Sequence, residues 1–298
     1  MPPFQGLVAF PITPMDADGR VDTEGLRRLV RRLADAEVDA IGVLGSTGSY
    51  PYLTRDERRR AIDATLAEAD GRTPVMAGIG ALRTDETVRL ARDAKAAGAH
   101  AGLLAPVSYT PLTNDEVFAH FEAVSGGSDL PICIYNNPAT THFSFDDALI
   151  GRLSRLPNVT AVKNPAPAAD AAPRALTALR GQVPTGFSLG YSADWGVPET
   201  LIAGADAWYS VLAGLFPSPC LAIVRAIAQG DPEGARRLNA ALDPLWDLFK
   251  AHGGLRVIYG AANLTGLCHA QPPLPILPLA GSALERLDTV LRRLDLTN

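Results

Sequence analysis

The sequence predicts an α/β fold, a (β/α)8 TIM barrel with a C-terminal helical extension. Short apolar runs alternate eight times with longer amphipathic ones. The short runs are apolar on both faces, as strands are when helices cover both sides of a parallel sheet. Eight regular units favour closure into a barrel over a doubly wound open sheet, which is the alternative for this pattern.

The strands are predicted from runs of apolar and β-branched residues bounded by glycine, proline or polar residues. The first run, LVAFPIT, is typical of the rest. The predicted strands cover residues 7–13, 40–46, 74–80, 101–107, 131–137, 159–164, 184–190 and 207–213.

Helix signals fill the intervals between these runs. The first helix opens at or near Thr23, and Thr54 with Glu57 three residues later predicts a capping box for the second. A third helix runs from Thr84 to Ala97, with Gly98 after it. Further helical patterns lie at 113–124, 145–155, 168–180, 195–204, 232–250, 255–266 and 282–294.

The last three patterns follow the eighth strand and have no strands between them. They predict a barrel domain over residues 1–230 and a C-terminal helical domain over residues 231–298. The segment SVLAGLFPSP (210–219) is interpreted as core and turn.

Composition narrows the classes of partner. The chain has 298 residues, of which 47% are hydrophobic and 20% charged, so it can bury a sizeable core. Its net charge is −5 and it has no long basic run, so no nucleic-acid or membrane-surface partner is expected. No apolar run approaches the roughly 18–20 residues that span a bilayer.

Targeting and metal signals are also missing from the sequence. The opening MPPFQGLVAF has no basic region, so no signal peptide is expected. Cys133, Cys220 and Cys268 are scattered without a CxxC pair, which predicts a cytoplasmic protein without disulfides. The five histidines lack ligand-like spacing, and no metal site is expected.

Active-site residues of such a barrel lie at the carboxyl ends of the strands. Strand two ends in GSTGSY, where Ser46 and Thr47 stand between Gly45 and Gly48. Consecutive backbone N–H groups in a glycine-rich turn can converge on an anion, so the segment suits a carboxylate or a phosphate. A plain turn without a ligand is the other interpretation.

Strands five and six end in Tyr135 and Lys163. Lysine is scarce in this chain, because three lysines stand against 24 arginines. Desolvation at a strand end disfavours an ammonium, and a neutral amine can attack a carbonyl to form a Schiff base. The phenol of Tyr135 can relay a proton. The alternatives are an exposed rim lysine or an ion pair, and a tyrosine packed below the rim.

Together these motifs resemble the dihydrodipicolinate synthase / N-acetylneuraminate lyase family. The resemblance depends on three motifs: GSTG at strand two, YNNP at strand five and the lysine of strand six. The opening GLVAFPITPMDADGRVD, APVSYTPLTNDEVFAHF (105–121) and PLPILPL near the C-terminus extend the resemblance over nearly the whole chain.

The resemblance implies a class I lyase or aldolase that acts on pyruvate or another 2-keto acid, with an aldehyde as second partner. It assigns the Schiff base to Lys163, the proton relay to Tyr135, and the keto-acid carboxylate to Ser46 and Thr47, with Ser46 also in the proton path. Tyr109 matches a tyrosine that reaches a neighbouring subunit's site. The family implies a homotetramer, a dimer of dimers, without a metal or an organic cofactor.

Several positions depart from the family pattern. Thr140 stands where the synthases carry an arginine for the aldehyde's carboxylate, and Ser49 replaces a common glutamate. Ser192 and Ala193 follow strand seven in place of the acidic pair of the sialic-acid lyases. Among the aromatic residues expected to line the less polar second-substrate side is Tyr209.

The predicted activity is therefore a keto-acid-dependent lyase whose second substrate is undetermined. Three alternatives stay open. They are synthase activity proper, joining pyruvate to aspartate semialdehyde; a sugar-acid dehydratase; and a catalytically retired homologue that only binds a keto acid.

Overall fold

The computed structural model describes residues 5–297 and contains eight parallel strands closed into a barrel in chain order. The strands are β1 (Gly6–Ala9), β2 (Ala40–Val43), β3 (Val75–Gly78), β4 (Ala101–Leu104), β5 (Ile132–Tyr135), β6 (Val159–Pro165), β7 (Ser188–Ser192) and β8 (Ala207–Ser210). β1 pairs with both β2 and β8, which closes the ring. The predicted (β/α)8 barrel is confirmed.

Helices surround the barrel and form the C-terminal part. They are α1 (Thr23–Asp35), α2 (Arg55–Ala69), α3 (Thr84–Ala97), α4 (Asn114–Gly127), α5 (Pro138–Thr141), α6 (Asp147–Leu153), α7 (Ala172–Arg180), α8 (Val197–Ile202), α9 (Pro217–Ala228), α10 (Pro232–Ala241), α11 (Asp243–His252), α12 (Gly254–Leu264) and α13 (Gly281–Arg293). Across the described range, no helix is long and apolar enough to cross a bilayer.

The capping box predicted for α2 is half formed. The Thr54 hydroxyl accepts the Glu57 N–H, as predicted. The Glu57 carboxylate, however, accepts the N–H of Val21 at 2.7 Å instead of returning to Thr54. Val21 is buried beside α2, and its amide needs an acceptor, so a tertiary neighbour takes the carboxylate. A complete reciprocal box occurs at the start of α4.

The interpretation of residues 210–219 as core and turn is partly wrong. A short 3₁₀ turn at Leu212–Gly214 is followed by α9, which begins at Pro217. Prolines at 217 and 219 resemble turn punctuation, yet proline is well tolerated in the first turn of a helix. The predicted helix 232–250 is likewise divided, with α10 and α11 meeting at Leu242.

The predicted division between residues 230 and 231 falls between α9 and α10 and stays a prediction. Residues 1–4, which belong to the opening segment without a signal peptide pattern, lie outside the described residues. So does residue 298, at the end of the predicted helical domain.

The barrel interior is filled with side chains. Residues of seven of the eight strands, among them Val8, Met76, Ala101 and Cys133, form one buried cluster. A larger cluster lies between the strands and the surrounding helices. Because the interior is packed, a small molecule has room only above the last layer, at the carboxyl ends of the strands.

Candidate active site

Lys163 and Tyr135 are direct neighbours in the barrel. β5 and β6 are adjacent, and their register pairs these two residues. Both side chains lie inside the barrel near its carboxyl end, where Lys163 is 3% and Tyr135 is 6% exposed. The two predicted catalytic groups, 28 residues apart in the chain, are brought together by strand pairing alone.

Aromatic rings surround the amine of Lys163. Its Nζ lies 4.0 Å from the centroid of the Phe10 ring and 4.4 Å from that of Tyr135. The Tyr209 ring is farther, at 5.8 Å. An amine enclosed by these rings is screened from bulk water.

Three polar groups form a hydrogen-bonded cluster beside the lysine. The Tyr135 hydroxyl lies 3.2 Å from Ser46 Oγ. The Asn137 amide donates to the Tyr135 hydroxyl at 2.9 Å and to Ser46 Oγ at 3.4 Å. Because Asn137 donates to both oxygens, one hydroxyl proton can join Tyr135 to Ser46 and the other is left for a further acceptor.

The turn after β2 is closely packed. The Ser49 N–H donates to the Ser46 carbonyl at 3.1 Å, which closes a turn that carries Ser46 and Thr47. A Cβ added at Gly45 would lie 2.6 Å from the Phe10 ring, and one at Gly48 would lie 3.0 Å from Thr13 Oγ1. The glycines therefore permit a close backbone approach, and the turn places Ser46 Oγ beside the Tyr135 hydroxyl.

A pair of asparagines joins the ends of β5 and β6. The Asn136 amide donates to Asn164 Oδ1 at 3.0 Å, and both residues are buried. Asn136 Oδ1 in turn accepts the Phe145 N–H at 3.4 Å. This pair was not predicted as functional. An asparagine directly after each of the two strand residues Tyr135 and Lys163 is the signal in the sequence.

Asp194 fixes the loops after β7 and β8. It is 2% exposed, and it accepts from the Trp208 indole at 2.8 Å and from the backbone N–H groups of Val211 and Leu212 at 3.1 and 2.8 Å. Burial raises the pKa of Asp194, while the bonds from Leu212 and Trp208 and the charge of Lys163 oppose the rise. The sequence prediction missed this residue because its partners lie 14 to 18 positions later.

The other predicted site residues differ widely in their exposure. Thr140 is exposed on α5, and its hydroxyl donates to the Asn137 carbonyl at 3.2 Å. Tyr109 follows β4 and is 96% exposed. Tyr209 is fully buried, and its hydroxyl accepts from Cys133 Sγ at 3.5 Å. Tyr209 therefore belongs to the packed interior of the barrel, and its place on the second-substrate side stays a prediction.

A reactive cysteine thiolate and a metal site both lack the groups they need among the described residues of this region. Cys133 lies one inward-facing position below Tyr135, and burial raises the pKa of its thiol to about 12, so it stays protonated. Within residues 5–297, no three or more His, Cys, Asp or Glu side chains cluster in a way that could hold a metal ion.

A closed parallel barrel with a lysine, a tyrosine and hydroxyl groups at the carboxyl ends of its strands has the architecture of a barrel enzyme. The sequence model of the Dihydrodipicolinate synthetase family matches residues 3–294. The chain belongs to this family, and it is an enzyme of the lyase class.

Named relatives extend over the same length. The chain is 34% identical over 291 residues to the 4-hydroxy-tetrahydrodipicolinate synthase of Alcanivorax borkumensis, covering 97% of each chain. It is similar to the solved dihydrodipicolinate synthase of Agrobacterium tumefaciens, with 54% identity, a TM-score of 0.95 and 98% of each chain covered. The solved enzyme of Aquifex aeolicus is 29% identical, with a TM-score of 0.91 and 99% of each chain covered.

Proposed function

We propose that this lyase forms a Schiff base between Lys163 and pyruvate or a related 2-keto acid, and that an aldehyde is its second partner. One observation carries the proposal. The buried Lys163 is paired in register with Tyr135, and the Tyr135 hydroxyl meets Ser46 on the turn after β2. An amine, a proton relay and hydroxyl donors for a carboxylate thus converge on one small space.

Binding and imine formation use these groups in sequence. The hydroxyls of Ser46 and Thr47 hold the keto-acid carboxylate and orient C2 toward Lys163 Nζ. The neutral amine attacks C2, the carbonyl oxygen leaves as water after protonation, and an iminium ion is formed. The Tyr135 hydroxyl supplies and recovers the protons of these transfers through Ser46.

The iminium then acts as an electron sink for the bonds at C3. When the C4 hydroxyl loses its proton to Tyr135, cleavage of C3–C4 releases an aldehyde and leaves an enamine, which takes a proton at C3 to return to the iminium. Deprotonation at C3 of the pyruvyl iminium gives the same enamine. In the synthetic direction the enamine attacks an aldehyde carbon and the resulting alkoxide is protonated. Hydrolysis of the iminium returns the free amine of Lys163 and the keto-acid product.

Synthase activity proper, with pyruvate and aspartate semialdehyde, is the second candidate. The name shared by the relatives at 34% identity favours it. Thr140 stands against it, because a neutral hydroxyl engaged with the Asn137 carbonyl offers no bidentate cation for the carboxylate of that aldehyde.

We also propose a homotetramer, arranged as a dimer of dimers, in the cytoplasm. The exposed side chains of Tyr109 and Leu82 on neighbouring strand-end loops support burial of that face in an assembly. The three free cysteines, all buried, agree with a reducing compartment.

Borohydride reduction in the presence of pyruvate, followed by peptide mass spectrometry, tests the proposal. We expect a reduced pyruvyl adduct on Lys163 in the wild type and none in Lys163→Arg, because arginine stays protonated and forms no imine. We also expect Lys163→Arg to lose turnover while keeping its fold. Lys95→Arg, a change at an exposed lysine of α3, is the matched control and should keep the adduct.

The adduct and activity measurements distinguish the candidate functions. An adduct only with longer 2-keto acids would change the substrate and keep the mechanism. No adduct with any keto acid, or activity of Lys163→Arg within tenfold of wild type, would overturn the mechanism and favour a barrel that has lost its chemistry.

A further inference from the structure

We propose that Tyr259 is a positioning residue for the keto-acid site. It acts through Ser49, which closes the turn that carries Ser46 and Thr47. The proposal rests on the proposed function for what that turn binds. It gives the C-terminal helix α12 a role in an active site otherwise built from strand-end residues.

Tyr259 lies on α12, and its hydroxyl is hydrogen-bonded to the Ser49 side chain in the turn. The residue is fully buried, its hydroxyl donates to the Thr13 carbonyl at 3.3 Å, and it lies 3.2 Å from Ser49 Oγ. A phenol has one proton and a carbonyl can only accept, so Ser49 is the donor to Tyr259. Burial raises the pKa of Tyr259 to about 12, which keeps that single proton in place at neutral pH.

Ser49 needs external support for its backbone conformation. Its φ of 54° and ψ of 31° are left-handed, a region that a residue with a Cβ disfavours. It nevertheless makes two turn bonds, since its N–H donates to the Ser46 carbonyl at 3.1 Å and its carbonyl accepts the Tyr52 N–H at 3.0 Å. The side chain is completely buried, and its bond to Tyr259 fixes it in this conformation.

The position of the turn determines where Ser46 lies relative to the Tyr135 hydroxyl, the proposed proton relay. Ser46, the first residue of the turn, has its Oγ 3.2 Å from the Tyr135 hydroxyl. A change in the backbone of Ser49 therefore alters where Ser46 and Thr47 place their hydroxyls relative to Tyr135. The path runs from α12 through Ser49 and the turn to the residue beside Lys163.

Two substitutions separate positioning from simple packing. Tyr259→Phe removes the hydroxyl and keeps the ring, and we expect the KM for the keto acid to rise about five- to tenfold with a smaller change in kcat. Ser49→Gly removes the side chain but permits the left-handed backbone at no steric cost. We expect Ser49→Gly to raise KM as well, because it removes the same bond from the other side, and to leave little further effect of Tyr259→Phe when the two are combined.

Hydrogen exchange of the peptide that spans residues 46–53 gives a readout independent of activity. Exchange should be faster in Tyr259→Phe than in wild type, and adding Tyr259→Phe to Ser49→Gly should change the rate little. Thr265→Val is the matched control, because it removes a hydroxyl at the end of the same helix, bonded only within α12. It should leave both KM and exchange of the turn unchanged.

The two proposals fail in different ways. If wild type gives no keto-acid adduct, the proposed function fails, and the exchange data alone then decide whether Tyr259 holds the turn. If wild type forms the adduct but Tyr259→Phe keeps its KM, the positioning role of Tyr259 is overturned. The same holds if Tyr259→Phe raises KM equally in the wild-type background and in the Ser49→Gly background.

Discussion

Two predicted site residues, Thr140 and Lys163, differ in burial and therefore in the part of the reaction that each can affect. Lys163 is enclosed by rings inside the barrel, whereas Thr140 is exposed on a helix of four residues. The Thr140 hydroxyl is engaged with a backbone carbonyl of its own turn. A change at Thr140 therefore affects what approaches from outside and leaves the imine chemistry untouched.

Thr140→Arg should favour aldehydes that carry a carboxylate. A guanidinium offers a bidentate pair of donors, so we expect kcat/KM for a carboxylated aldehyde to rise about tenfold relative to a neutral aldehyde of similar size. Competition between the two aldehydes in one reaction measures the ratio. Thr141→Arg, one position along α5, is the control. An unchanged preference would mean that the loop at residues 135–141 is wrongly aligned with the family.

At the scale of elements, α3 and α4 meet through a histidine that is buried in its neutral form. Thr84 Oγ1, at the first residue of α3, lies 2.9 Å from His120 Nδ1 on α4. The other nitrogen of His120, Nε2, is buried without a partner among the described residues. Burial lowers the pKa of His120 from 6.5 to about 4.

This contact makes stability depend on pH in a defined window. Between pH of about 6.5 and about 4 the unfolded chain binds a proton at His120 that the folded chain does not. The free energy of unfolding should therefore fall as pH is lowered through that window, by about 1–3 kcal/mol. Urea titrations of wild type and His120→Gln should show a shallower pH dependence in the variant. Equal slopes would contradict the assignment to His120.

At the scale of the whole molecule, the exposed Tyr109 can belong to the active site of its own subunit or to that of a neighbouring subunit. A phenol 96% exposed on the single chain can contribute to chemistry only where another surface covers it. The resemblance to the family implies that this surface belongs to a neighbouring subunit.

Mixing two impaired variants tests that arrangement. Tyr109→Phe is expected to lower turnover about tenfold. If Tyr109 acts across an interface, mixed assemblies with Lys163→Arg subunits should recover activity, because some sites then hold both Lys163 and a partner's Tyr109. Subunits exchanged under the same conditions within each variant are the control. No recovery in an assembly shown by sedimentation to be mixed would place Tyr109 in its own subunit's site or in none.

The sequence alone determined the order and number of the barrel units and the principal chemical residues. Strand and helix periodicity is a local property, so each of the eight predicted strands overlaps an observed one, and the starts of the first three helices were predicted correctly. Because a parallel barrel gathers its strand ends at one face, Ser46, Tyr135 and Lys163 could be assigned to one site before any distance was known.

Only the tertiary structure decided which groups touch and how each is held. The bond from the Val21 N–H to Glu57, the three donors to Asp194 and the burial of Tyr209 depend on residues far apart in the chain. So does the pairing of Ser49 with Tyr259, 210 positions later. Side-chain partners across such distances are set by how helices pack on the barrel, and local sequence patterns contain no information on that packing.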